Sequence, residues 1–103
     1  DDLRSLLEAF RFEPRVVVGR KEVVASLDEM GLVGSGPDLD SAIDDLLEEL
    51  RDYATDFVRR YSFYMQTDRR AHAAGVLRVA LTPPEEQRDL LVEEPVDKGR
   101  AIR

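Results

Sequence analysis

Apolar residues recur along the chain with two different periods, and each period predicts a different kind of element. In residues 2–10 they fall three or four apart, which predicts a short first helix that ends ahead of Pro14. Two β-branched runs, residues 16–18 and 23–27, flank a polar turn that contains a glycine, and they predict a β-hairpin. The glycine-rich stretch 31–36 is apolar at its centre, which predicts a third strand that is either at a sheet edge or bulged.

The strongest pattern begins after Pro37, where an apolar stripe recurs every three or four residues. This spacing predicts one long amphipathic helix from Leu39 to Tyr61. Asp38 is placed to cap its first turn. Acidic residues near the start and arginines near the end follow the order that the helix dipole favours. The stripe comprises Leu39, Ile43, Leu46, Leu50, Ala54, Phe57 and Tyr61.

The last third of the chain carries weaker patterns. Residues 62–74 are mostly polar, so we expect the long helix to end there and an irregular connection or a short helix to follow. Residues 76–81 alternate well enough to predict a last strand. Two prolines then end that strand and open a short helix over 85–91. Residues 93–103 have no period and predict an extended tail on a compact domain of residues 1–92.

These elements predict an α+β fold with a small antiparallel sheet of three to four strands. We expect one long amphipathic helix to pack on one face of that sheet, with short helices toward the two ends of the chain. A length of 103 residues suits a single core. A content of 43 % hydrophobic and 36 % charged residues is typical of a globular domain.

Composition argues against several classes of function. The chain has no cysteine, which removes disulfides and thiolate chemistry and suits the cytoplasm. No apolar run approaches the roughly 20 residues of a membrane span, so we expect no membrane contact. The net charge of −7 argues against direct nucleic-acid binding, which draws its affinity from clustered Lys and Arg. The sequence begins with Asp1 rather than Met, which leaves room for a preceding segment.

Residues that could carry catalysis or bind metal are sparse. His72 is the only histidine in the sequence, so a triad or an imidazole zinc site lacks partners, and we expect a surface position near a helix end. Asp28, Asp38 and Asp40 flank the predicted third strand as a candidate divalent-metal cluster. The simpler alternative is a solvated loop and a helix cap. We expect no catalytic residue, no cofactor and no metal.

An aromatic segment after the stripe is the first candidate for protein contact. Phe63 and Tyr64 lie next to Met65 at the end of the predicted long helix. They either form an exposed patch of the kind that becomes a protein interface or pack into the core. The sequence leaves both alternatives open.

The C-terminal segment is the second candidate. Leu90, Leu91 and Val92 are apolar anchors that precede Arg100 on a stretch too short to form its own core. Such a segment either folds on a partner or stays unfolded. The planar guanidinium group of Arg100 is suited to binding clustered carboxylates. We therefore expect Arg100 to be able to block an acidic metal site of a partner.

The strand, the glycine-rich turn and the opening of the long helix together resemble a bacterial pattern. They resemble the compact domain of HicB-like antitoxins and, more closely, of prevent-host-death-like antitoxins of type II toxin–antitoxin pairs. The likeness covers roughly residues 10–92, and Ser41 departs from it where the family usually has glutamate. The positions that carry the likeness are Gly34, Gly36, Leu39, Asp40, Ala42, Ile43, Asp44, Asp45, Leu46, Leu50, Arg51, Asp52 and Tyr53.

The resemblance implies a fold and a function. It implies an antiparallel sheet with a helix packed across it, a short last strand, and a tail that wraps a cognate toxin. The toxin implied is a ribonuclease, either a PIN-domain, a RelE-like or a HicA-like enzyme. Such antitoxins often carry an N-terminal segment that binds operator DNA, a role that no residue of this sequence can be assigned. The expected toxin contacts are Phe63, Tyr64, Leu90, Leu91, Val92 and Arg100.

One alternative from a different class stays open, a regulatory or ligand-sensing module that forms homodimers. It would pair through its sheet edge or through Phe63 and Tyr64. The antitoxin assignment depends on two structural expectations. The stripe from Leu39 to Tyr61 is expected to lie against the sheet, and Arg78 with its flanking valines is expected to form a strand.

Overall fold

A computed structural model describes residues 12–92. Three strands, β1 (Arg15–Val18), β2 (Val23–Leu27) and β3 (Leu32–Gly36), form an antiparallel sheet in the order β1-β2-β3. The predicted hairpin and third strand are confirmed, and β2 is the central strand. The predicted first helix and the predicted C-terminal tail lie outside the described residues.

Two turns set the geometry of the sheet. The Gly19 N–H donates to the Glu22 carbonyl at 2.7 Å, which closes the tight turn between β1 and β2. At the turn into β3, Gly31 has a φ of +71°, a value that residues with a side chain rarely adopt. The hydrogen bond at Gly19 and the left-handed backbone at Gly31 therefore define the two turns between the strands.

The long helix α1 (Leu39–Arg59) forms as its apolar stripe predicts. The Asp38 carboxylate accepts a hydrogen bond from the Ser41 N–H at 2.8 Å, which caps the helix and holds the pKa of Asp38 below its usual value. The two ends of the predicted stripe are exposed, because Leu39 lies in the first turn and Tyr61 lies past the helix end. The residues that α1 buries are Ala42, Ile43, Leu46, Leu47, Leu50, Ala54 and Phe57.

The helix α1 crosses β3 so closely that two positions of the strand have no room for a side chain. A Cβ on Gly34 would lie 2.6 Å from the Ala42 carbonyl oxygen and would also overlap the backbone nitrogen of Leu46. A Cβ on Gly36 would meet the Cβ of Ser41 at 2.5 Å. Glycine at these positions lets the backbones of helix and strand approach. The α+β fold with one helix across one face of the sheet is thereby confirmed.

Short helices follow α1. They are α2 (Tyr61–Tyr64), a first 3-10 helix (Asp68–His72), α3 (Ala73–Ala80) and a second 3-10 helix (Pro84–Leu90). The helix predicted over residues 85–91 is therefore present in a tighter 3-10 form. Among the helices in the described part of the chain, none is long and apolar enough to cross a membrane.

The last strand predicted for residues 76–81 is wrong, because this segment lies in α3 and its C-cap. Val76 and Val79 are both buried, and their spacing puts them on the same face of a helix that packs against α1. A short apolar run is compatible with strand and helix alike, and here contact with α1 decides. Arg78 is half-buried outside the sheet, and its Nε has no hydrogen-bond partner among the described residues.

Candidate protein interface

Exposed aromatic and apolar side chains gather where α1 ends and α2 begins, a surface that we call the aromatic end (residues 58–63). Val58, Tyr61 and Phe63 are all exposed there. The Arg60 guanidinium lies 4.8 Å from the centre of the Phe63 ring, within cation–π range. Aromatic residues and arginine are the types enriched in the centres of protein interfaces. The aromatic end therefore has the composition of a binding surface.

The two aromatic neighbours predicted as toxin contacts have different surroundings. Phe63 is 54 % exposed, whereas Tyr64 is 9 % exposed and stacks on Phe57 with ring centres 4.7 Å apart. The Tyr64 hydroxyl donates a hydrogen bond to the Asp56 carboxylate at 2.5 Å. This bond lowers the pKa of Asp56 and raises the pKa of Tyr64. Tyr64 is thus part of the core, and only Phe63 presents its ring to the surface.

The segment after α3 folds back along α1, and we call it the C-terminal arm (residues 84–92). Gln87 is buried in it, and its side-chain amide donates to the carbonyls of Val79 and Thr82, both at 3.0 Å. Its Oε1 accepts a hydrogen bond from Nε of Arg51 at 2.5 Å. The polar head of Gln87 is therefore satisfied on both sides, which ties the arm to α1 and α3.

Arg88 makes a second link between the arm and α1. Its guanidinium donates to Asp44 and to Asp40, each at 2.9 Å. These two carboxylates, Asp44 first, raise the pKa of Arg88. Because Asp40 and Asp44 are one helical turn apart, a single planar guanidinium can span them.

The apolar residues predicted as toxin contacts on the arm lie against the domain itself. Leu91 is buried in the core, and Leu90 and Val92 are partly buried against it. Leu91 and Val92 also line a groove of about 460 Å³ whose other walls include Val16 of β1 and Leu39 of α1. A toxin contact through Leu91 would require the arm to leave the core, whereas the groove is already open to solvent.

The groove and the aromatic end lie at opposite ends of α1. Ile43 lines the groove, and Phe57, fourteen residues later, stacks on Tyr64. At 1.5 Å per residue, these two positions are about 21 Å apart along the helix axis. The predicted contacts therefore form two separate surfaces. The last of them, Arg100, lies outside the described residues.

The carboxylates considered as a metal cluster are engaged with different partners. Asp28 accepts from Arg15 at 2.7 Å, and this bond holds the pKa of Asp28 below its usual value. Asp38 caps α1, and Asp40 binds Arg88. Within residues 12–92, no three His, Asp or Glu side chains are arranged to hold a metal ion. The structure gives the metal-site alternative no support.

His72 has a structural position at the end of the first 3-10 helix. Its Nδ1 lies 2.7 Å from the Tyr53 hydroxyl, and its Nε2 lies 2.9 Å from the Glu29 carbonyl. A neutral ring with its proton on Nε2 donates to that carbonyl and accepts from Tyr53. The imidazole therefore joins three segments of the fold.

The polar contacts that hold the arm were not predicted from the sequence. The sequence contains one indication of these contacts. Asp40 and Asp44 are acidic residues one helical turn apart, and such a pair favours a nearby cation. The sequence does not indicate that the cation is Arg88, which is 44 residues away from Asp44.

The structure thus combines a helix across a three-stranded sheet, an arm tied to that helix, and an exposed aromatic end whose composition is that of a protein interface. The PHD-like family model, described as "Antitoxin of toxin-antitoxin, RelE / RelB, TA system", matches residues 1–93. The chain belongs to this family. It is an antitoxin of a toxin–antitoxin system, with a cognate toxin as its partner, and the family favours a regulatory rather than an enzymatic role. No curated protein matches the chain.

A solved structure has the same fold. The antitoxin part of a candidate toxin/antitoxin system from Syntrophomonas wolfei subsp. wolfei matches with a TM-score of 0.80 and 22 % sequence identity. The match covers 90 % of this chain and 69 % of the other. At this identity the likeness shows the fold alone. The family match also shows that a strand around Arg78 is not required for membership, contrary to our expectation.

Proposed function

We propose that this antitoxin neutralises a cognate ribonuclease toxin by direct protein contact in the cytoplasm. The observation that carries the proposal is the family match, which spans the sheet, α1 and the whole arm. The family description names RelE, which favours a RelE-like ribonuclease over a PIN-domain or HicA-like one. The glycine-rich turn and the helix opening support the prevent-host-death-like subtype over the HicB-like one.

The aromatic end is the first proposed contact. The exposed Phe63 ring meets the fixed ring of Tyr64 edge to face, with centres 5.4 Å apart, and it is also covered on one side by Arg60. A ring that is already held in place loses little conformational freedom when a partner covers it. Such preorganised aromatic residues are the ones that contribute most to interface affinity.

The C-terminal segment is the second proposed contact. We assign residues 1–92 to the compact domain and residues 93–103 to a tail that continues from the groove onto the toxin. The contacts of Gln87 and Arg88 hold the arm, so the point where the tail starts is fixed at Val92. In the tail, Arg100 supplies a planar fork that fits clustered carboxylates of a partner.

Phe63→Ala is expected to weaken toxin binding at least about tenfold, because the loss of a central aromatic anchor costs about 2 kcal/mol or more. Co-expression with the product of the neighbouring gene, followed by calorimetric titration of the purified pair, measures this loss. Val33→Ala is the matched control, since Val33 is equally exposed at 54 % but lies on the face of the sheet opposite to α1. Unchanged affinity of Phe63→Ala would remove the aromatic end from the interface.

Deletion of the residues after Glu94 is expected to weaken rescue from the toxin and to leave the domain folded. The reason is that the described arm contacts all precede the deleted residues. Growth of cells that express the toxin with the full or the shortened chain measures rescue, and circular dichroism checks the fold. Full rescue by the shortened, folded chain would exclude the tail from the mechanism.

The dimerising regulatory module remains the second candidate function, and the exposed valines of β1 favour it. It predicts a dimer and no complex with the neighbouring gene product. A stable complex with that product would decide in favour of the toxin-binding function.

A further inference from the structure

A second groove lies between α1 and α3, and we call it the α1–α3 cleft. It has a volume of about 690 Å³. Its buried lining residues include Ala54 of α1 and Val79 of α3, and Val58 stands at its rim with 48 % of its surface exposed. Pro84, at the start of the arm, also lines it. The α1–α3 cleft thus offers an apolar surface between two packed helices.

The charged residues that line the α1–α3 cleft are both arginines, although the chain carries a net charge of −7. They are Arg51 and Arg59, which are also the two arginines of α1. The seven carboxylates of the same helix all lie outside the cleft, and they belong to Asp40, Asp44, Asp45, Glu48, Glu49, Asp52 and Asp56. The lining is therefore positive on a protein that is acidic overall, which favours an acidic group on whatever binds there.

The two arginines differ in how firmly the domain holds them. Arg51 donates to the Gln87 side chain at 2.5 Å and to the Pro84 carbonyl at 2.9 Å, and a guanidinium has further N–H donors for a partner. The Arg59 side chain is 74 % exposed, and its distance to the Asp56 carboxylate is 3.7 Å. An ion pair as exposed as this one contributes little to stability. Arg59 can therefore exchange it for a carboxylate of a partner at small cost.

We propose that the α1–α3 cleft binds an apolar segment of the cognate toxin, and that a carboxylate on this segment pairs with Arg59. The inference rests on the toxin-binding function proposed above and names the chemistry of the toxin surface. Arg51 and Arg59 are eight residues apart, which is about 12 Å along the helix axis. This length matches about two turns of a toxin helix or about four residues of an extended toxin segment.

Continuity with the aromatic end supports a toxin segment as the occupant. Val58 and Arg59 belong to both surfaces, so a partner that covers the aromatic end reaches the rim of the α1–α3 cleft. The apolar lining disfavours a nucleic acid, whose backbone is bound mainly through charged and polar contacts. The tail of this chain starts from Val92, which lies beside Ile43 toward the opposite end of α1. A toxin segment therefore fits the position and the chemistry of the cleft better than these two alternatives.

Ala80→Trp tests the proposal, because Ala80 is an exposed residue of the cleft lining and an indole there occupies the space of a bound segment. Calorimetric titration with the purified product of the neighbouring gene is expected to show binding that is weaker at least about tenfold. Ala74→Trp is the matched control, since it places the same side chain at an exposed position of α3 outside the cleft. It is expected to bind as the wild type does, and circular dichroism checks that both variants are folded.

Arg59→Glu tests the ion pair. It is expected to weaken toxin binding at least about tenfold, because it places two carboxylates against each other. Arg20→Glu is the control for the change in net charge, since Arg20 is exposed between β1 and β2 and does not line the cleft. A toxin variant with the paired Asp or Glu changed to Arg is expected to restore binding to Arg59→Glu. Unchanged affinity of Arg59→Glu would overturn the proposal.

Cross-linking identifies the occupant directly. Because the chain has no cysteine, Ala80→Cys supplies a single thiol for a benzophenone cross-linker. Irradiation of the labelled complex and mass spectrometry are expected to identify a toxin peptide that contains apolar residues and Asp or Glu. A cross-link to residues 93–103 or to a second copy of the chain would assign the cleft to that occupant and overturn the proposal. Binding that a nuclease abolishes would assign the arginines to nucleic acid and would also overturn it.

The same titrations separate this proposal from the toxin-binding function on which it rests. A wild-type complex that Phe63→Ala weakens and Ala80→Trp leaves unchanged would overturn the cleft proposal alone. Absence of a complex between the wild-type chain and the neighbouring gene product would overturn the toxin-binding function, and the cleft proposal with it.

Discussion

Gly34→Ala is expected to lower the free energy of unfolding by about 3 kcal/mol. The added Cβ would overlap the backbone nitrogen of Leu46 and would lie 2.6 Å from the Ala42 carbonyl oxygen. Both atoms belong to the backbone of α1, which cannot rotate away as a side chain can. The helix must shift off the sheet, and the core between them opens.

Gly31→Ala is the matched control for this substitution. Gly31 has a positive φ of +71°, but a Cβ there would meet nothing within 4 Å. It is expected to cost about 1 kcal/mol through backbone strain alone. Urea unfolding followed by circular dichroism measures both variants. Equal losses for the two would show that close packing of α1 on β3 is not what Gly34 provides.

Tyr64→Ala is expected to lower the thermal unfolding midpoint by more than about 10 °C. It removes a ring that stacks on Phe57 and a hydroxyl that is bonded to Asp56, and it leaves a cavity at the end of α1. Phe63→Ala is the control, because its ring is exposed and its loss is expected to shift the midpoint by less than about 2 °C. Differential scanning calorimetry measures both shifts.

A comparable loss of thermal stability in both variants would mean that Phe63 also supports the core. It would also remove Phe63→Ala as a clean test of toxin binding. The opposite result would be a Phe63→Ala variant with an unchanged thermal unfolding midpoint and a reduced affinity for the toxin. It would show that Tyr64 supports the fold, whereas its neighbour Phe63 supports toxin binding.

The features that the sequence predicts well depend on residues close together in the chain. The helix α1 follows from an apolar stripe and from a cap at Asp38, both of which act within a turn or two. The β1–β2 hairpin follows from β-branched runs on either side of a short glycine-containing turn. The α+β fold class follows from the combination, because a helix with one apolar face and a small sheet can bury those faces only against each other.

Other predictions were wrong or incomplete because they depended on distant parts of the chain. Residues 76–81 have a pattern that fits a strand or a helix, and their contact with α1 makes them helical. The buried position of Leu91 and the ion pairs of Arg88 likewise depend on α1, and the carboxylates that Arg88 binds are more than forty residues earlier in the chain. Such contacts leave no periodic signal in the sequence.

The sequence by itself determined the elements from β1 to α1, since periodicity, capping and turn residues are local and add up along the chain. Only packing between elements assigned Tyr64 to the core and Phe63 to the surface, and only packing left the valines of β1 exposed. The physical reason is that burial depends on which surfaces meet in three dimensions, and neighbouring residues with the same chemistry can point to opposite sides of that contact.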